Sequence, residues 1–330
     1  MKQRVFIPEI PTHNYQKGFN GNLLFYCLLD RLVYFTIFCT EASRRKITVL
    51  SLDLMFTHTH SFLKLASKEI LSRFNQAVEM KYAQEFNRES GHIGHVFMRT
   101  YGWAQKKNNA KVRSCLAYIA NNPVEKKLCR HASESRWNFW AYASSINPYS
   151  KPLVIRKASI AMRKAVKMVK DAQKRGQYLN YTFLRRVFAG LGKDERDQLT
   201  DFIIHTYLIV DFEAAGAYFG SVEKAIQAFD VTTGAEYDIK EEYEPEPDTA
   251  YVELIRLFEK DHKDLISKPF LSIPEGERRR LLKQLIRKTP ASYRQVSRFL
   301  HLPPSKAVKA PVASFAPPWS DWPASGDAPF

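Results

Sequence analysis

The chain has 330 residues, 45% of them hydrophobic and 25% charged. Those proportions exclude collagen-like, fully disordered and coiled-coil chains. At roughly 150 residues per domain, the length accommodates about two domains, with enough chain to bury a core without staples. Lys and Arg total 50 against 34 Asp and Glu, a net charge of +16. This surplus points to an anionic partner, of which nucleic acid is the commonest; the plainer alternative is a basic protein that merely stays soluble.

Met1-Lys2-Gln3-Arg4 leads to Pro8 and Pro11 rather than to an apolar stretch, so no signal peptide is expected. The most apolar segment, Leu23 to Cys39, is interrupted by Asp30-Arg31, and neither side is long enough to span a bilayer. Cys27, Cys39, Cys115 and Cys129 form no CxxC pair. Reduced thiols and a soluble, cytoplasmic protein without membrane contact are the expectation.

Thr36–Cys39 is rich in β-formers, and Ile47–Met55 and Thr57–Leu65 carry the alternation of half-buried strands. Lys68–Glu85 has helical spacing through Ile70, Phe74, Val78 and Tyr82. His92–Tyr101 reads as strand or loop hinged at Gly91 and Gly94, and Val112–Asn122 as a helix stopped by Pro123. Helices and strands thus alternate over the first 148 residues. A basic helical region, 149–237, opens with the Lys- and Arg-rich stretch Lys151–Arg175 and continues with helices at Tyr181–Phe188, Lys193–Ile209 and Ser221–Phe229. An acidic linker at 238–250 precedes helices at Tyr251–Asp261, Glu275–Lys288 and Tyr293–Leu300. Thr289–Leu300 has the pattern of the first helix of a helix-turn-helix, with a turn at His301-Leu302-Pro303 and a short recognition helix from Ser305. Arg278-Arg279-Arg280 and Lys283 would hold phosphates, although a plain helical bundle fits the same residues. The Pro-rich tail, 303–330, is expected to be disordered.

Three pieces carry chemistry: His58-Thr59-His60, Tyr118 and Asn122. On a strand, His58 and His60 share a face and offer two imidazoles to one divalent ion. On a helix, Tyr118 and Asn122 share a face, and an amide oxygen can complete the ligand set. Such donors suit Mg²⁺ or Mn²⁺ better than structural Zn²⁺. Taken singly, each has a plain structural explanation: strand histidines, a core tyrosine, a helix stop. His92, His95, Cys129 and His131 do not have zinc-finger spacing and read as loop residues or DNA contacts.

Leu54-Met55-Phe56-Thr57-His58-Thr59-His60, followed by Tyr118-Ile119-Ala120-Asn121-Asn122-Pro123-Val124, resembles the single-tyrosine HUH transposases, specifically the REP-associated tyrosine transposases. Their patterns are "LMPNHVH" and "YIhxNPV". His13-Asn14-Tyr15-Gln16-Lys17-Gly18 is similar to the family's first strand, Ser90-Gly91-His92-Ile93-Gly94 to its "sGhlwq" stretch, and Trp140–Ser145 to its closing segment. The resemblance covers residues 13–145. Thr57 stands where the family usually has Asn, and Thr59 where it has a bulky apolar residue.

The resemblance implies an α+β fold, a ferredoxin-like (RRM-like) antiparallel sheet with helices, here followed by an all-helical C-terminal region. It implies that His58, His60 and Asn122 hold one Mg²⁺ or Mn²⁺ and that Tyr118 attacks a phosphodiester of single-stranded or hairpin DNA. A phosphotyrosine would form and be rejoined later. The chemistry is coherent. A phenol titrating near 10 is a weak nucleophile at neutral pH and needs aim and an electrophile. The tyrosyl ester conserves the bond, which agrees with the absence of a GxxxxGK[ST] loop. Lys106, Lys107, Lys111 and Arg113 would draw in the DNA backbone, and Arg99 is interleaved with Phe97, Tyr101 and Trp103 as base-stacking surfaces are. A monomer and a homodimer are both compatible with these readings. The rivals are a non-catalytic, domesticated relative that binds DNA hairpins or regulates, and an RRM-type RNA binder, the latter without the RNP aromatic motif.

Overall fold

Alternating side chains build four strands: β1 (Thr12–Lys17), β2 (Thr48–Leu54), β3 (His58–Lys64) and β4 (Gly102–Gln105). The computed structural model describes residues 5–231, 246–261 and 268–303. The strands form one antiparallel sheet in the order β2-β3-β1-β4. Because β1 lies between β3 and β4, Tyr15 faces His60 on one side and Gly102 on the other.

Helices α1 (Leu28–Arg44) and α2 (Lys68–Ser90) pack together over one face of the sheet. The Ser67 hydroxyl accepts from the Ile70 amide at the start of α2, and Gly91, with φ +64°, ends it in the left-handed region. Thr36–Cys39 is not a strand but the middle of α1. This helix is buried on nearly all sides, so its aromatic and β-branched residues have packing partners in every direction. Each such side chain contributes roughly 1.5–3 kcal/mol on burial, more than the few tenths by which helix propensity disfavours it. The Thr36 hydroxyl is absorbed by the Leu32 carbonyl at 3.0 Å.

Asp30 has a structural task. Its carboxylate accepts the Tyr26 and Cys27 amides at the head of α1, the Tyr181 hydroxyl at 2.8 Å and the Lys268 ammonium at 2.7 Å. The charge that interrupts the apolar run therefore joins three distant parts of the chain.

On the opposite face lies α3 (Asn109–Glu125), capped by the Asn108 side chain. It does not stop at Pro123. Proline removes one amide donor, but the Lys126 amide still bonds the Asn122 carbonyl at 3.0 Å and Leu128 bonds that of Pro123 at 2.8 Å. Residues 92–101 form a loop whose contacts include an isolated bridge from Phe97 to Gly18.

Eight further helices follow among the described residues: α4 (Ile160–Lys174), α5 (Tyr181–Phe188), α6 (Lys193–Tyr207), α7 (Phe212–Gly216), α8 (Val222–Val231), α9 (Thr249–Asp261), α10 (Glu275–Lys288) and α11 (Tyr293–Phe299). α4 buries Met162, Val166 and Val169 and exposes Arg163, Lys164, Lys167, Lys170 and Lys174. The Val49 carbonyl accepts the Asp211 amide at 2.8 Å, which covers part of the β2 edge. Most of the acidic linker, the segment 262–267 and the chain from 304 lie outside the described residues, as does the expected recognition helix at Ser305. Among the described residues the four cysteines are free thiols and no helix is long and apolar enough to cross a membrane.

The helices α9 to α11 share an apolar core with α1 and α2. Phe270 and Phe299 pack against Tyr26, and Phe258 packs against both of them; the Tyr26 hydroxyl donates to the Phe299 carbonyl at 2.6 Å. Arg278, which reads in sequence as a phosphate contact, instead donates to the carbonyls of Leu300 and His301 at 2.8 and 2.9 Å. His301 is buried against Phe86 and lies 3.2 Å from the Leu23 carbonyl. Burial, then His92, pushes its pKa from 6.5 down to about 3.

An unfolded histidine accepts a proton that folded His301 refuses, so the native state loses stability as pH falls from 6.5 toward 3. His13 and His58 are lowered in the same direction, so the comparison must isolate His301. The thermal midpoint followed by circular dichroism should fall less steeply below pH 6.5 in His301→Gln than in the wild type. Parallel curves would remove His301 as the source.

Candidate active site

The site is built on the α3 face of the sheet. His58 and His60 are two residues apart on β3, and their rings are 4.9 Å apart at 89°. Thr57 Oγ1 lies 3.0 Å from His58 Nδ1. His60 Nδ1 lies 2.8 Å from Nε2 of His13 on β1. Each ring is therefore steadied through Nδ1, and Nε2 is the atom either would turn to an ion. Thr57 thus provides a hydroxyl to orient His58.

His13 and His60 are fully buried, while His58 is half-buried. Burial, then the positive potential of neighbouring His60, Lys106 and His58, holds His13 well below its ordinary pKa. Burial, then His60, Lys17, Lys126 and Arg298, does the same for His58. Neutral imidazoles are the form that ligates metals.

Tyr118 comes to this cluster from the opposite layer. Its ring meets His60 edge-on at 5.6 Å and His13 at 6.0 Å. It is 8% exposed. Asn122, one helical turn further on, is buried, and its Nδ2 has no hydrogen-bond partner among the described residues. Asn121 is turned away and donates to the Phe229 carbonyl at 2.7 Å, tying α3 to α8. Tyr15 stacks on His60 at 6.0 Å. A Cβ on Gly102 would come within 1.9 Å of the Tyr15 ring, so glycine there lets the ring lie flat across the strand.

The layer behind the histidines is polar and closed. Thr59 Oγ1 lies 3.0 Å from the Tyr34 hydroxyl, which donates to Gln16 Oε1 at 2.7 Å. Gln16 and Asn14 both donate to Asn75 Oδ1, and Asn75 donates back to Asn14 Oδ1. Thr59 is one member of a buried network that fixes the strand carrying the histidines.

The donor set suits a hydrated divalent ion. Two imidazoles at near right angles can share one ion, and no group of three or more His, Cys, Asp or Glu side chains able to hold a metal occurs among the described residues. A third protein donor would have to be of another type, and the Asn122 amide is the candidate on the same helix as Tyr118.

The cationic residues separate into two groups. Arg99, Lys107, Lys111 and Arg113 are exposed, with Arg113 donating to the Tyr218 carbonyl at 3.4 Å. Lys106 is 1% exposed and acts on His13 from within the protein, so it is not a surface contact. Phe97 belongs to the core, and Tyr101 and Trp103 are partly buried against it. The role of His13 is missing from the motif reading. Its signal lay in the resemblance of His13–Gly18 to a first strand, but only strand pairing brings its ring to His60.

No family model and no curated protein matches the chain. A solved structure is similar to it. That structure is of a REP-associated tyrosine transposase bound to a REP hairpin. It is 13% identical, with a TM-score of 0.35, and the match covers 42% of this chain and 80% of that one. Its family is the one that the His58-Thr59-His60 and Tyr118–Val124 motifs resemble.

Proposed function

We propose that this chain cleaves and rejoins single-stranded DNA as a single-tyrosine HUH transposase, with Tyr118 as the nucleophile. The observation that carries the reading is the meeting of Tyr118 with His60 and His13, on the sheet face that also holds His58. The βαββαβ element order with strands 2-3-1-4 supports a ferredoxin-like core beneath the site.

His58, His60 and the Asn122 amide would hold Mg²⁺ or Mn²⁺, which supplies Lewis-acid polarisation of a phosphate oxygen. His13 holds the His60 ring through its Nδ1. α3 aims the Tyr118 hydroxyl and places Asn122 one turn away. The tyrosyl oxygen attacks phosphorus and gives up its proton, and the bond to the 3′-oxygen breaks. That oxygen takes a proton and leaves as a 3′-hydroxyl, while the 5′-phosphate stays on Tyr118. Attack by another 3′-hydroxyl reverses the step and restores the tyrosine. The exposed Arg99, Lys107, Lys111 and Arg113 would track the DNA backbone.

The test is incubation with labelled single-stranded oligonucleotides from the DNA flanking the gene, with Mg²⁺ or Mn²⁺. A protein–DNA band that survives denaturation is expected. Affinity should be higher for single-stranded or hairpin DNA than for linear duplex. It should weaken with salt at a logarithmic slope of about −0.7 per neutralised phosphate. A preference for linear duplex, or an affinity indifferent to salt, counts against the reading.

One observation favours a second reading, hairpin binding without cleavage: Tyr118 is only 8% exposed. Tight binding with no covalent band under any metal condition would select it.

A further inference from the structure

We infer that the outer face of α4 is a second nucleic-acid surface, on which Arg163, Lys167, Lys170 and Lys174 lie along the phosphate backbone of duplex DNA. The inference adds a surface to the proposed DNA chemistry and rests on that reading only for the choice of polyanion.

The four cations recur at steps of four, three and four residues. That spacing sets them on one stripe of the helix, about 16 Å long. All four are exposed, and among the described residues none makes a hydrogen bond or an ion pair through its side chain. The Lys170 ammonium lies 5.6 Å from the centre of the Phe202 ring. Asp171, the one carboxylate of the helix, is half-buried and pairs with none of them.

The stripe has no task within the fold. α4 is held by its other side, where Met162, Ala165, Val166 and Val169 are buried and the helix packs on α5 and α6. Glutamine has about the same helix propensity as lysine and arginine, so the local structure does not call for cations at these four positions. Like charges one turn apart destabilise a helix, and a polyanion reverses that effect.

The positive surface continues past the end of α4. The carbonyl of Gly176, two residues beyond Lys174, accepts from Arg44 Nη2 at 2.8 Å. Arg44 borders a groove on α1 and α2 that is also lined by Arg45, Arg73 and Lys81. Glu41 is the one carboxylate in that lining, and it is bound by Arg44, Arg45 and Lys81, while Arg73 stands exposed.

The form of the surface selects its occupant. With one side packed, α4 is not free to sink into a major groove, so it lies along a backbone and reads no sequence. An anionic membrane fits less well. An interfacial helix inserts an apolar face, and here that face is buried in the core, leaving Ile160 as the exposed large apolar residue of the helix. α4 is connected to the sheet through α6 and α1, on the side opposite α3. The duplex it holds is therefore a segment other than the strand at Tyr118.

The experiment measures binding of a fluorescein-labelled duplex of arbitrary sequence by anisotropy over a series of salt concentrations. The full chain carries Tyr118→Phe and the buffer holds EDTA, so neither cleavage nor metal enters. The variant Arg163→Gln/Lys167→Gln/Lys170→Gln/Lys174→Gln is compared with Lys151→Gln/Lys224→Gln/Arg256→Gln/Lys260→Gln, which removes the same charge from exposed positions elsewhere. The logarithmic salt slope should flatten by about 0.9 for each lost phosphate contact, about 3.6 for the stripe variant, and stay unchanged in the control. Circular dichroism melts identify a variant that fails to fold, and Lys167→Gln/Lys174→Gln, with about half the expected flattening, decides the question if the fourfold variant does.

Equal slopes in stripe and control variants, whether both flattened or both unchanged, overturn the surface and leave only net charge or none of it at work. Loss of binding to phosphatidylserine vesicles in the stripe variant, with the duplex slope unchanged, assigns the face to a membrane and overturns it as well. With Tyr118 restored and metal present, the stripe variant should form the adduct with a short single-stranded oligonucleotide at the unmodified chain's yield. A flattened duplex slope in a protein that never forms an adduct keeps the surface and overturns the nuclease reading instead.

Discussion

Tyr118→Phe should abolish the covalent protein–DNA adduct while binding of the same oligonucleotide changes by about tenfold, the size of a typical net hydrogen bond. The ring contacts that place Tyr118, edge-on to His60 at 5.6 Å and to His13 at 6.0 Å, involve carbons that phenylalanine retains. Only the oxygen that would bond to phosphorus is lost, and a transition-state bond has no substitute in the ground state. Denaturing gel electrophoresis reads the adduct, and anisotropy reads the binding. An adduct formed by the Phe variant would show that another side chain is the nucleophile.

The second large effect concerns the imidazoles. His58→Ala and His60→Ala should each reduce metal-dependent cleavage by more than about a hundredfold. Even a residue that only orients a ligand costs about 10–100-fold when removed. His13→Ala should fall in that smaller range, because its contact is with Nδ1 of His60 and not with the ion. Asn122→Ala should be intermediate and should recover in part as Mn²⁺ is raised, since mass action refills a weakened site. The double variant His58→Ala/His60→Ala should recover little. Adduct yield against Mn²⁺ concentration separates these cases. Wild-type yield in all four single variants, with no dependence on metal, would reduce the pair to ordinary strand residues.

Position in chain decided the local part of this arrangement. Alternation on a strand puts His58 and His60 on one face, and a four-residue step on a helix puts Tyr118 and Asn122 on another. Both follow from backbone periods that need no distant partner. The strands β2 and β3, the helix α2 and most of the C-terminal helices were legible for the same reason.

Where the environment is not periodic, local reading failed. Thr36–Cys39 has the residues of a strand but lies in a helix, because burial on nearly every side rewards bulky side chains whatever the backbone. Pro123 reads as a stop, yet α3 loses only one hydrogen bond there and runs on to Glu125. Lys106 reads as one of a run of surface cations and is buried beside His13.

The sequence by itself determined which residue types could do phosphodiester chemistry and which pairs of them share a face. Only the tertiary structure decided what those faces meet. Strand order seats β1 beside β3, so that His13 reaches His60 across residues 47 apart in the chain. The packing of α3 on the far side of the sheet brings Tyr118 to both. The docking of α11 carries Arg298 to Gly21, at the other end of the sequence. The physical reason is that a period of two or 3.6 residues is a property of neighbours along the chain. These meetings instead depend on long-range burial, whose driving force is proportional to the area removed from water and carries no direction of its own.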